Sequence, residues 1–215
     1  MLSYIVPMPS LTLFIDLCSH RKIVACVDEK ETLALEEISD HTDEANLIPT
    51  IKRILQSEKF SLQDLARIAA ITGPGGFMSQ RVALSLANAL AWALKIPIAG
   101  IHLSDLWAAR IPKPSSLSPN PFLWLHSTQK KSLFIRGFGA LEKKWPDATL
   151  ISVDDAGSGI PKNTLLIGEL IPEHQELLLL KQMPNPEPVE NVLPMLCEKQ
   201  TYGDPPVLPW YGRGI

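Results

Sequence analysis

The residue types best placed to do chemistry lie in one glycine-rich stretch, Thr72-Gly-Pro-Gly-Gly-Phe-Met-Ser-Gln-Arg81. Glycines between a strand and a helix let backbone N–H groups approach an anion, and a helix N-terminus adds partial positive charge. Gly73, Gly75 and Gly76 could therefore cradle a phosphate. The same residues suit a tight strand-to-helix turn that needs positive φ, and residue types alone favour that turn over the phosphate reading. A P-loop would end in Gly-Lys-Ser/Thr, which is missing, and Met78 stands where the dinucleotide pattern has its third glycine. Asp16, at the end of an apolar run, offers a carboxylate that could orient metal-bound phosphate or simply cap the junction between strand and turn. The histidines His20, His41, His102, His126 and His174 are scattered, and neither Gly-x-Ser-x-Gly nor His-Glu-x-x-His occurs. Asp154-Asp155 reads as a solvated turn. No catalytic residue and no metal site is assigned to this chain.

These residues need elements to hold them. Leu11–Leu17 (LTLFIDL) reads as a buried strand, Lys22–Val27 (KIVACV) as a second and Thr32–Ile38 (TLALEEI) as a third. The connections are too short for crossovers, so the three form an antiparallel meander. Ile48, Ile51 and Leu55 then fall at helical spacing, with Pro49 tolerated only if the helix starts near it or kinks. Ser61-Leu-Gln-Asp64 has the spacing of a capping box. Arg67–Thr72 reads as a strand, Ser79–Lys95 as a long helix, Ile96–Ile101 as a strand and Leu103–Arg110 as a helix. Each later strand follows a helix, so it runs parallel to the first. The expected fold class is α/β: the actin-like, ribonuclease-H-like arrangement of two lobes, with a mixed five-stranded sheet in the first lobe and a reduced second lobe.

Composition sets the outer limits. The chain has 215 residues, with 20 Lys and Arg against 23 Asp and Glu, a net charge of −3. That balance argues against a free-standing basic nucleic-acid binder. Cys18, Cys26 and Cys197 are too few and scattered for a disulfide framework or zinc knuckle, so free thiols in a reducing cytosol are expected. The first ten residues lack a basic signal-peptide region, and no run approaches a membrane span. A cytoplasmic setting follows. Prolines and serines crowd residues 111–121, which divides the chain into a first lobe (1–110), a linker (111–121) and a degenerate second lobe with its tail (122–215). No internal repeat is visible.

The stretch AITGPGGFMSQRVALSLANALAWALKIPIAGIHLSDLWA from Ala70 resembles the glycine-rich region, Ala-rich helix and following strand of the TsaB family, proteins of bacterial tRNA threonylcarbamoyladenosine biosynthesis. Ile15-Asp16-Leu17-Cys18-Ser19 is similar to that family's Ile-Asp-Thr-Ser start, and His41-Thr-Asp-Glu-Ala-Asn-Leu-Ile-Pro49 to its His-Ser-Glu-x-Leu-Leu-Pro helix opening. Met78-Ser79-Gln80 departs from the family's Thr-Gly-Leu, and His126 and Lys131 stand where its hairpin carries Asp and Glu. The related catalytic subunit, TsaD, holds a metal with a His-x-x-x-His pair. The matching positions here are Leu103 and Trp107, which cannot ligate one.

The long helix is apolar around most of its circumference, with Arg81, Ser85, Asn88, Trp92 and Lys95 on one narrow stripe. A surface helix needs an apolar arc of only ~100°, so this one should pack on two sides, its own sheet and a second neighbour. The alternative is a helix buried wholly inside one domain. The family resemblance implies that the second neighbour is TsaD. It draws the contacts from His41, Glu44, Leu47, Ile48 and Ile51 of the first helix and from Arg81, Ser85, Asn88 and Trp92 of the second. It also implies a non-catalytic scaffold subunit without its own cofactor, ATP and a metal ion in the TsaD-like partner, a TsaE-like ATPase and tRNA in the assembly, and self-association when the partner is missing. Asp16, Gly73, Gly75 and Gly76 would be a vestigial nucleotide site. The alternatives are a stand-alone ATP-dependent phosphotransferase using that site, or a homodimeric binding module.

Overall fold

A computed structural model of the chain describes residues 10–39, 46–112, 121–161, 164–178 and 186–212. The first meander is β1 (Thr12–Asp16), β2 (Lys22–Val27) and β3 (Thr32–Ile38), antiparallel as expected. Helix α1 (Leu47–Ser57) follows, then β4 (Arg67–Gly73), α2 (Phe77–Leu94), β5 (Ile98–His102) and α3 (Leu103–Ala109). Strands β4 and β5 join in parallel, which completes a five-stranded sheet in the order β3-β2-β1-β4-β5. Pro49 sits in the first turn of α1, where its missing N–H costs no helical hydrogen bond. Between α1 and β4, the Asp64 carboxylate accepts from Ser61 N and Oγ, both at 2.7 Å.

The second half is more regular than its prolines suggest. Strands β6 (Phe122–Gln129), β7 (Ser132–Phe138) and β8 (Thr149–Ser152) form another antiparallel meander, followed by α4 (Val153–Gly159), β9 (Leu165–Glu169), α5 (Pro172–Leu178) and α6 (Val189–Glu198). Strand β9 pairs parallel to β6, and the sheet order β8-β7-β6-β9 repeats the β3-β2-β1-β4 order of the first. The repeat absent from the residues is therefore present in the topology. Asp154 and Asp155 are not a loose turn. They open α4, where the Ser152 hydroxyl accepts from Asp155 N at 3.0 Å and the helix dipole favours acidic side chains.

Strand alternation builds three apolar layers. Leu13, Ile15, Val24, Cys26, Ile68 and Ala70 face α1 and α2. The opposite face of the same sheet carries Phe14, Ala25, Val27, Ala69 and Ile71. These meet Phe122, Trp124, Phe134 and Ile167 of the second sheet, with α3 and α6 between. The second sheet's far side, Leu123, Leu125, Leu133, Ile135 and Leu166, packs on Ala156 of α4 and Leu178 of α5. In α6, Pro194 cannot donate to the Glu190 carbonyl one turn back; the Thr32 hydroxyl does so instead, at 2.8 Å.

The chain's end does not remain with the second lobe. Helix α6 packs against β3, and beyond it Gly203 exchanges both backbone hydrogen bonds with Ile98 of β5 (2.9 and 3.0 Å). Asn88 of α2 clamps the tail by donating to the Val207 carbonyl (2.9 Å) and accepting from the Val207 N–H (2.7 Å). Residues 122–215 thus supply pieces of both lobes. Replacing Asn88→Ala should cost about 1–3 kcal/mol by leaving the half-buried Val207 amide groups unpaired. Urea denaturation measures the loss, and amide hydrogen exchange should localise the added opening to residues 203–210.

Candidate functional site

The glycine loop lies at the junction of the lobes, beside the C-terminal ends of β1, β4 and β6. Gly73 has φ +129°, a region only glycine enters readily, and a Cβ there would sit 2.6 Å from the Trp210 carbonyl oxygen. A Cβ on Gly75 would lie 2.6 Å from Cys18 Cα. Both glycines are thus required by the close approach of this chain to itself. Gly76 caps α2, and a Cβ there would make only ordinary contact with Ser79 Oγ, at 3.7 Å. The Gln80 carboxamide bonds to the Thr72 carbonyl and, at 2.7 Å, to the Trp210 carbonyl, while Trp210 N–H donates back to Thr72 O (2.8 Å). The tail is therefore tied directly to the loop.

Asp16 is fully buried and its oxygens are committed. Oδ1 accepts from Cys18 N (2.8 Å) and Ser19 N (3.0 Å), and Oδ2 accepts the Ser19 hydroxyl. Burial pushes its carboxyl above the usual range, against the lowering effect of those three bonds. Its role in this geometry is to shape the turn after β1. The glycine loop and Asp16 thus adjoin, but their close contacts are with the chain itself. Among the described residues, openings adjoin the glycine loop on two sides. One, of about 560 Å³, runs from Pro74 and Phe77 to Thr128, Phe134, Trp210 and Tyr211. The other, of about 370 Å³, is lined by Ser19, His20, Gly76, Ser79, His126 and Thr128 among others.

A group not singled out from the sequence gathers beside the second opening. His126 on β6 pairs in register with Glu169 on β9, and His20 reaches across from the turn of the first lobe. One side-chain ligand atom from each of the three lies within 4.8 Å of the others. Burial holds His126 neutral, down to about 3, with His20 and His102 adding like charge. Burial raises Glu169, opposed by the His20 backbone N–H and reinforced by the Asp16 charge. The residues come from three distant segments, so spacing could not unite them; the one signal was His126 in place of the family's Asp. Leu103 and Trp107 are buried in the core between the sheets, 0 and 8 % exposed.

The second candidate surface is the outside of α2. Trp92 is 78 % exposed, and Arg81 and Ser85 are exposed beside it. Met78 (60 %) and Ala89 extend the same stripe, and Phe77 (57 %) lies under the Arg81 guanidinium at 5.3 Å. Asn88 is turned aside to hold the tail, which is one of the second neighbours the helix needs. On α1, Ile48 is exposed, whereas Leu47 and Ile51 are 2 and 1 % exposed. The two point into the core under α1, because the helix buries positions 47, 50, 51, 54 and 55, and they present no surface to a partner. His41 and Glu44 lie outside the described residues.

The fold and the glycine loop define an α/β protein of two lobes closed on each other, built on sheets that share one strand order. The family described as "TsaD: tRNA N6-adenosine threonylcarbamoyltransferase" matches residues 36–160, more than half of the chain. The chain belongs to that family, and within it is TsaB/YeaZ-like. A tRNA threonylcarbamoyladenosine biosynthesis protein TsaB of Buchnera aphidicola (subsp. Schizaphis graminum) is 32 % identical over 103 residues, 48 % of this chain and 49 % of that protein. TsaB of Bacillus subtilis is 28 % identical over 107 residues, 50 % of this chain and 47 % of that one. The chain thus spans about half the length of these curated relatives. A Pseudomonas aeruginosa structure described as similar to peptidase YEAZ superposes with TM-score 0.68 at 16 % identity, over 95 % of this chain and 100 % of that one. YeaZ from the same organism gives 0.59 at 18 %, over 80 % and 90 %. These two share the fold.

His102 provides a test of the junction's electrostatics. Burial lowers it to about 4, its Nδ1 accepts from Ser104 N (3.2 Å), and its Nε2 is buried without a partner among the described residues. A depressed histidine contributes stability above its unfolded pKa that is lost as pH falls from about 6.5 toward 4. Asp16 and Glu169, both raised, act in the opposite sense. A comparison with His102→Asn, which keeps the cap acceptor, isolates the histidine. The unmodified chain should lose about 1–2 kcal/mol more than the variant between pH 7 and pH 5 in urea denaturation.

Proposed function

We propose that this chain is a non-catalytic scaffold subunit in the formation of threonylcarbamoyladenosine in tRNA, and that it docks on a TsaD-like catalytic subunit. The observation that carries the docking role is the outer face of α2. Trp92 stands in solvent on a helix whose other faces are taken by the sheet and the chain's own tail. A water-facing indole on the same helix stripe as Ser85, Arg81 and Met78 is the composition of an interface, where Trp and Arg dominate binding energy. Ile48 at the start of α1 adds apolar surface, and burial of about 800 Å² on each partner would make a standard interface. The names of the Buchnera and Bacillus relatives support the pathway.

The non-catalytic role is supported by Leu103 and Trp107, core residues where the catalytic relative has its ligand pair. In this reading ATP and a metal ion belong to the TsaD-like subunit, a TsaE-like ATPase completes the assembly, tRNA reaches this chain only through it, and the setting is cytoplasmic. The bare α2 face would pair two copies when the partner is missing. The rival, a stand-alone ATP-dependent phosphotransferase, needs the Asp16 carboxylate free, and both of its oxygens are engaged by the turn after β1.

Mixing the chain with the TsaD of its own organism should give a complex by light scattering at micromolar concentration; no complex overturns the proposal. Trp92→Glu should weaken that association by about 30-fold or more, the loss of about 2 kcal/mol expected for a hot-spot tryptophan. Its circular dichroism should be unchanged, since Trp92 supports nothing in the fold. Calorimetric titration of the isolated chain with Mg-ATP should show no tight binding; tight binding supports the phosphotransferase instead.

A further inference from the structure

We infer that His20, His126 and Glu169 form a binding site for a divalent transition-metal cation of the zinc type, which pins the two lobes together. The inference stands independently of the scaffold role, and it involves none of the residues at the positions of the TsaD ligand pair.

Both ring nitrogens of His126 are buried without a hydrogen-bond partner among the described residues, although the side chain is only 1 % exposed. Leaving such groups unpaired costs about 1–3 kcal/mol each, and an ion on Nδ1 would partner one of the two. The nearest acceptor, Glu169 Oε2, is 3.6 Å from His126 Nδ1, too long for a hydrogen bond. It is close to the spacing of about 3.4 Å between donors that share a tetrahedral ion at ~2.1 Å.

The other two groups are prepared for the same task. His20 Nε2 lies 2.9 Å from the Ser127 carbonyl. A carbonyl can only accept, so Nε2 carries the proton and Nδ1 of the neutral ring keeps its lone pair. An N–H held by a backbone carbonyl behind the ligating nitrogen is the usual support of a metal-bound histidine. Glu169 is fixed by the His20 backbone N–H, which donates to Oε2 at 2.9 Å. Its charge is felt by Arg110, whose guanidinium donates to the Glu187 carbonyl (2.8 Å) and stacks on Trp107 (4.2 Å).

Two imidazoles and one carboxylate are a borderline-soft donor set that suits zinc better than calcium or magnesium. With one ligand on the exposed turn and His126 lining the 370 Å³ opening, an ion has a path in and room for a water as further ligand. A 4.8 Å spread requires the exposed His20 to draw in slightly as the ion binds.

The test uses the full chain freed of metal with a chelator. Calorimetry with Zn²⁺ should give one equivalent, and Co²⁺ should produce visible absorption bands of a four- or five-coordinate site. Saturating Zn²⁺ should raise the thermal midpoint, since an ion that binds only the folded state stabilises it. His20→Ala and Glu169→Gln should each weaken binding at least about tenfold and remove the cobalt bands. His20 is exposed, so its variant tests the site without disturbing the core. Absence of Zn²⁺ binding, or equal affinity and an equal cobalt spectrum in both variants, overturns the proposal.

Discussion

The structure depends on one shared apolar layer. Each sheet turns an alternating face inward, and the faces are completed by one another and by α3 and α6. Phe14, Ala69 and Ile71 on one side and Trp124, Phe134 and Ile167 on the other belong to the same core. Opening the lobes would therefore expose large apolar area at about 25 cal/mol per Å². The glycine loop and the Asp16 turn sit at the rim of this layer, where Thr72 O accepts from Trp210 N and the buried Asp16 carboxylate accepts from Cys18 N, Ser19 N and the Ser19 hydroxyl.

The first lobe was legible because its signals are local. Strand alternation, the short connections of the meander and the change to helical spacing near Ile48 each depend on a few adjacent residues, and the observed elements match them closely. The second lobe was less legible. Its strands are separated by proline-containing segments, and its topology echoes the first without any echo in residue type. The same division holds at the site. Asp16 and the glycines can be picked out by type and position. That Gly73 needs its missing side chain because of Trp210, over a hundred positions away, is a fact of tertiary contact. His20, His126 and Glu169 are united only by strand register and by the closure of the lobes.

Helix α2 shows how far periodicity can be taken. Its apolar circumference implied two neighbours, and three surfaces result. Ala83, Leu84, Ala87 and Ala91 meet the sheet, Asn88 holds the tail, and Met78, Arg81, Ser85, Ala89 and Trp92 face outward. Helical spacing placed Asn88 on the outer stripe, but it lies four positions from Trp92 and three from Ser85, at the stripe's edge. A side-chain amide there can reach a passing backbone, and the tail's own need for partners at Val207 decides the matter. On α1 the competition went the other way. Leu47 and Ile51 gain more from the sheet beneath them than from any surface role, and Ile48 is left exposed.

The tail explains why these surfaces differ in character. By running along β5 and ending over the glycine loop, residues 203–212 pair the Ile98 edge at Gly203 and cover the adjoining side of α2. An exposed strand edge and an open apolar flank would each invite nonspecific association. Covering them with the chain's own backbone leaves one face of α2 outward, with an aromatic anchor and a cation but little continuous apolar area. Such a face favours one shaped partner over general stickiness, because its affinity rests on seating Trp92 in a pocket and pairing Arg81, which an arbitrary surface does not provide. The same closure buries the His126 ring beside Glu169 at the other end of the loop. The tail and the interlobe core thus leave Trp92 exposed on a helix and His126 enclosed between the lobes.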